Sequence, residues 1–175
     1  MFKRLLISAL SFLAISASAT PLLGSTVNFQ YYFPDLSSPY NDGSAGNYVV
    51  GSGVEVASIS GVASVDITAT QIRVDYNTST SWSSAAFNGF RLTDVFGLID
   101  AWTITLDPSS NLAGLTADRI TFGDDFLQVN WQGLSFDSNT LVVFNITTQN
   151  VPEPGSLALV GLGLVGIVAM RKRKV

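Results

Sequence analysis

Residues 71–76 read Gln71-Ile72-Arg73-Val74-Asp75-Tyr76, and residues 127–132 read Leu127-Gln128-Val129-Asn130-Trp131-Gln132. In both, large apolar side chains alternate one for one with polar or charged ones. That period of two buries one face of a strand and leaves the other in water. The same alternation runs through Val27, Phe29, Tyr31 and Phe33, and through Trp102, Ile104 and Leu106 against Ala101, Thr103 and Thr105. Shorter runs at 47–51, 53–59, 62–69, 87–93, 118–122 and 139–148 bring the expected strands to about ten, separated by turn residues. No extended helical period interrupts them. One-faced strands need a cover, so the spacing predicts two packed antiparallel sheets. The expected architecture is an all-β, jelly-roll-like sandwich over residues 20–150, with a small barrel as the other way to close it. Residues 34–47 and 107–118 read as loops, the latter with room for one helical turn. No repeat period and no internal linker divides this body, which reads as one domain.

The composition excludes several kinds of chemistry. The chain has 175 residues, no cysteine and no histidine. It therefore has no disulfide framework, thiol nucleophile, Ser-His-Asp triad or zinc site of the usual ligands. Six of its nine cations lie close to the termini, leaving Arg73, Arg91 and Arg119 between residues 20 and 150 against twelve acids, a net of −9. Such a body is a poor partner for nucleic acid, whose phosphates need clustered Lys and Arg.

Both ends read as addresses. Lys3 and Arg4 precede the apolar stretch Leu5–Ile15, and Ser16-Ala17-Ser18-Ala19 supplies small residues for cleavage before Thr20. Residues 1–19 are thus expected to be a secretory signal peptide. Eleven apolar residues reach about 16 Å as a helix, roughly half a bilayer core. At the other end, Pro152-Glu153-Pro154 precedes an uncharged run, Leu157 to Met170, and the basic cluster Arg171-Lys172-Arg173-Lys174. As a transmembrane helix, residues 157–170 would span about 21 Å; extension back to Gly155 and snorkelling of Arg171 shorten the deficit. The cations would stay cytoplasmic and the body outside.

This tail, residues 151–175, resembles the PEP-CTERM sorting signal of Gram-negative bacteria. The resemblance implies recognition of Pro152, Glu153 and Pro154 by an exosortase-type processing enzyme embedded in the membrane. It also implies an exported protein that passes through an inner-membrane intermediate and ends at the cell surface or outside the cell. Such tails are sometimes labelled "ice-binding protein C-terminal domain", but they are shared by unrelated bodies and say nothing about ice. The stretch Phe87–Phe144 is similar to a body that recurs in front of such tails. Its landmarks are Phe87-Asn88-Gly89-Phe90, Thr93-Asp94, Asn111–Gly114, Arg119–Phe122 and Val129–Phe136. That similarity implies a secreted β domain and no particular activity.

Within the body, acid/base catalysis would need two converging carboxylates. Asp124-Asp125 reads as a turn pair, and Glu55 is the single glutamate of the body. The acids are expected mainly as turn residues that cap backbone amides. No metal or other cofactor is required, although calcium suits the oxygen ligands Asp35, Asn41, Asp42, Asn47, Asp124 and Asp125, which lack EF-hand spacing. For sugar binding, Tyr31, Tyr32, Tyr40, Tyr48, Trp82 and Trp131 are the polar-edged aromatics. Trp102 and Trp131 fall on apolar strand faces and read as core. Trp82, set among Ser81, Ser83 and Ser84, is the expected exposed ligand contact. Thr68/Thr70, Thr78/Thr80 and Thr103/Thr105 are too irregularly spaced for an ice-binding face. The functional expectation is a non-enzymatic surface or matrix protein, structural or adhesive, associated with exopolysaccharide and biofilm. The alternative is a secreted carbohydrate-active enzyme using an Asp/Glu pair.

Overall fold

A computed structural model describes residues 22–96 and 102–148. Twelve strands fill them: β1 Thr26–Tyr32, β2 Gly46–Val49, β3 Val54–Ile59, β4 Ala63–Ile67, β5 Gln71–Tyr76, β6 Thr80–Ser81, β7 Gly89–Asp94, β8 Trp102–Leu106, β9 Ile120–Phe122, β10 Phe126–Asn130, β11 Ser135–Phe136 and β12 Leu141–Thr148. Each of the ten expected runs holds a strand. The two additional ones, β6 and β11, have two residues each and pair with one another. A short 3-10 segment at Ala117–Arg119 straddles the end of the 107–118 loop and delays the strand expected from residue 118 to Ile120.

Two five-stranded antiparallel sheets result, ordered β2-β1-β7-β10-β9 and β3-β4-β5-β12-β8. The first is called the front sheet below and the second the back sheet. Hairpins join β1 to β2, β3 to β4 to β5, and β9 to β10. The connections from β2 to β3, β5 to β7, β7 to β8, β8 to β9 and β10 to β12 change sheets. Edge strand β2 comes close to β3, and β9 to β8, yet among the described residues no ladder closes the sheets on each other. The body is therefore the expected β-sandwich, and the barrel alternative is not what forms.

The alternation that predicted the strands also builds the core. Val27, Phe29 and Tyr31 of β1, Phe90 and Leu92 of β7, and Leu127 and Val129 of β10 face Val65 and Ile67 of β4, Ile72 and Val74 of β5, and Phe144 of β12, all buried. Fully burying such a side chain contributes roughly 1.5–3 kcal/mol, so register is held firmly: a slip by one residue would turn a whole apolar row to water. The β3–β4 turn places Ser60 and Gly61 at positive φ.

The two flanks of the domain meet. Leu22 donates its N–H to the Ala69 carbonyl at 3.1 Å, and Ile146 donates to the adjacent Thr70 carbonyl at 2.7 Å. The first described strand and the last thus reach the same end of the sandwich.

Candidate functional site

Several of the acids are spent on backbone amides. Glu55 accepts the Gly51 N–H at 2.8 Å on one oxygen and the Ile67 N–H at 2.7 Å on the other, bracing the irregular pairing of β3 with β4. Asp42 accepts the N–H and hydroxyl of Ser44 on Oδ1 and those of Ser60 on Oδ2, which pins the 33–45 loop to the β3–β4 turn. Burial pushes the Asp42 pKa up, but these four donors outweigh it and hold the carboxyl below its ordinary value. Asp35, Asp107 and Asp137 close Asx-type turns on Ser37, Ser109 and Asn139. Among the described residues, no three His, Cys, Asp or Glu side chains gather in a way that could hold a metal.

The aromatics mostly belong to the core. Trp131 is fully buried and Trp102 is 3% exposed, as their strand faces require. The exposure expected of Trp82 is overturned: it is 9% exposed, stacked on Trp131 with ring centroids 5.7 Å apart and tilted against Phe136 at 5.4 Å. The serines around it do face water, but the β6–β11 pair folds the indole inward under Phe136. Its Nε1–H donates to the Tyr76 hydroxyl at 3.2 Å. A parallel chain runs from Trp131 Nε1–H to the Tyr31 hydroxyl at 2.9 Å, and from there to Asn88 Oδ1 at 2.6 Å. Burial raises the pKa of both tyrosines well above the ordinary phenol value, so they stay neutral. Of the six aromatics considered for sugar contact, Tyr31, Trp82 and Trp131 are thus buried, Tyr32 and Tyr48 are half-buried, and Tyr40 is 43% exposed. Trp102 Nε1 is buried and has no hydrogen-bond partner among the described residues.

The landmarks Asn88-Gly89 and Asn130-Trp131 converge in this region. Asn130 Oδ1 accepts the Asn88 N–H at 3.1 Å, and Asn88 Nδ2 donates to the Ser83 carbonyl at 2.9 Å. A Cβ on Gly89 would fall 1.8 Å from the Val129 carbonyl oxygen, so only glycine lets β7 and β10 approach there.

The two outer faces carry different chemistry. On the back sheet, Asp66 lies opposite Arg73, and the Arg73 Nε–H bonds the Asp75 carboxylate at 2.8 Å. On the front sheet, one cross-strand row reads Gln30, Arg91, Gln128, Thr121. The rows beside it read Asn47, Asn28, Thr93, Phe126 and Tyr32, Gly89, Asn130. None of these eleven residues is acidic. Arg91 lays its guanidinium over the Phe126 ring at 4.1 Å from the centroid. No local pattern in the sequence marks this face, because its members come from five strands scattered along the chain.

Pro152, Glu153, Pro154, Arg171, Lys172, Arg173 and Lys174, with the expected helix 157–170 and the signal peptide 1–19, lie outside the described residues. Among the described residues no helix is long and apolar enough to cross a membrane. The family model of the PEP-CTERM protein-sorting motif matches residues 150–174, taking in Pro152-Glu153-Pro154 and the basic cluster. The chain carries a PEP-CTERM protein-sorting motif. A PEP-CTERM motif implies an exported protein, sorted by way of the membrane and processed by exosortase. No curated protein and no solved structure matches the chain.

Proposed function

We propose that the sandwich is a non-enzymatic structural or adhesive component of the cell surface or extracellular matrix, associated with exopolysaccharide and biofilm. In this reading a Gram-negative cell holds the protein in its inner membrane by the helix 157–170, and the processing enzyme then delivers it outside. The observation that carries the reading is the outer face of the front sheet. Amides and hydroxyls on a rigid, acid-free surface match the hydrogen-bonding capacity of sugar hydroxyls, and sheet register fixes their spacing. The test is retention of the full-length protein on exopolysaccharide from its producing cells. Retention is expected, and its absence would discard the association.

The alternative, a carbohydrate-active enzyme, has less support. Glu55 would have to give up two backbone amides to act on a substrate, at a cost of about 1–3 kcal/mol for each group left unsatisfied. Release of reducing sugar from the same polymer, abolished by Glu55→Gln, would establish that alternative.

A further inference from the structure

The three arginines of the body are used in three ways. Arg73 is paired with Asp75. Arg119 donates to the carbonyls of Asn130 and Gln132 at 3.3 and 2.9 Å. The Arg91 side chain hydrogen-bonds no other described residue and instead rests on Phe126, half-buried in the middle of the front face. Twelve acids are available in the body, and none of the described ones pairs with it. The Phe126 ring packs over Gly123, where a Cβ would come within 2.6 Å of it, so the absence of a side chain there makes room for the ring. The guanidinium is therefore positioned by an aromatic ring, which leaves its N–H fork unspent.

Its neighbours in the row complete a recognition surface. Gln128 makes no side-chain bond to another described residue. Gln30 commits its Nε2 to the Tyr31 carbonyl at 2.8 Å, which leaves Oε1 available. Asn28 likewise uses Nδ2 on Asn47 at 2.8 Å and keeps Oδ1. With strands about 4.8 Å apart, the row from Gln30 to Thr121 extends about 14 Å across four strands, room for a few sugar rings.

We infer that this row binds a polysaccharide strand bearing uronate carboxylates, with Arg91 gripping a carboxylate and the flanking amides meeting ring hydroxyls. The inference rests on the polysaccharide-associated reading above and narrows it to one face and one sugar chemistry. A planar guanidinium matches a carboxylate in two parallel hydrogen bonds, which the point charge of a lysine does not. The net acidity of the body does not forbid this contact. Screening over about 8 Å at physiological salt leaves the ligand to feel chiefly the acid-free rows around Arg91.

The experiment is affinity electrophoresis of the full-length protein in mild nonionic detergent through polygalacturonate, dextran sulfate or neutral dextran. The expected result is retardation by polygalacturonate above that by either other polymer. Arg91→Gln should weaken it by about tenfold or more, Arg91→Lys by less, and Arg73→Gln on the opposite face should leave it unchanged. Unaltered thermal unfolding of Arg91→Gln, together with partial retention by Arg91→Lys, separates lost binding from lost folding. Equal retention of the wild type and Arg91→Gln by polygalacturonate would overturn the inference. So would a preference for dextran sulfate or for neutral dextran, and in each of these cases the broader polysaccharide reading stands. Failure to bind all three polymers and the producer's own exopolysaccharide would discard both.

Discussion

The outer faces of the two sheets are built from the same kind of alternating strand, yet they spend their polar residues differently. On the back sheet, Arg73 is neutralised by Asp75, and Asn145 ties Gln71 to Asp107 through bonds of 2.8 Å each. On the front sheet, Arg91 is supported by Phe126, and the rows beside it contain no acid. The comparison teaches that an arginine on a strand is defined by what register sets beside it. A face that satisfies itself internally offers a partner little, whereas one held in place by an aromatic ring keeps its donors for a ligand.

The contrast can be broken most forcefully at Gly89. Gly89→Ala drives a Cβ into the Val129 carbonyl, so β7 and β10 must separate and the front face loses its floor. The expected cost is about 3 kcal/mol or more, read by thermal unfolding. Phe126→Ala is the next largest change. Loss of the half-buried ring and its cation–π contact should cost about 1–2 kcal/mol. It should also weaken polygalacturonate binding although Arg91 itself is unchanged, because the ring no longer positions the guanidinium.

Acid separates the two faces without mutation. Backbone and side-chain bonds from Ser109, with the Asn145 amide, hold the Asp107 carboxyl below its ordinary pKa. Its stabilising bonds are therefore complete above the unfolded value near 3.9 and are lost as pH falls through the lower folded value. Side-chain amide NMR signals of Asn145 should shift in that acid range and those of Gln128 should not. Equal movement of both would mean that the faces are coupled. The smallest effect belongs to Arg73→Gln, whose partly exposed ion pair should change stability by no more than about 0.5 kcal/mol in thermal unfolding.

Much of this architecture was readable from the chain. Alternation at 71–76, 102–106 and 127–131 is a local property, and it located strands and core residues together, including Trp102 and Trp131. Trp82 was misread for a physical reason. Its serine neighbours do face water, but a two-residue strand is too short to display a period, so nothing nearby announces that β6 turns the indole inward. The front row was illegible for a different reason. Gln30, Arg91, Gln128 and Thr121 become neighbours only through pairings between distant strands, and no single-strand pattern encodes them. The tail was legible because its address lies in one continuous stretch.

Strand β12 gives the domain a mechanical character. It lies inside the back sheet between β5 and β8 and leads directly into the residues before Pro152-Glu153-Pro154. A pull on that flank runs along β12, while its ladder bonds point sideways to it. The load is therefore shared by both ladders at once in shear, and the bonds do not open one after another like a zipper. A protein gripped through its C-terminal side and holding a polymer on its front face would resist traction with a strand paired on both sides.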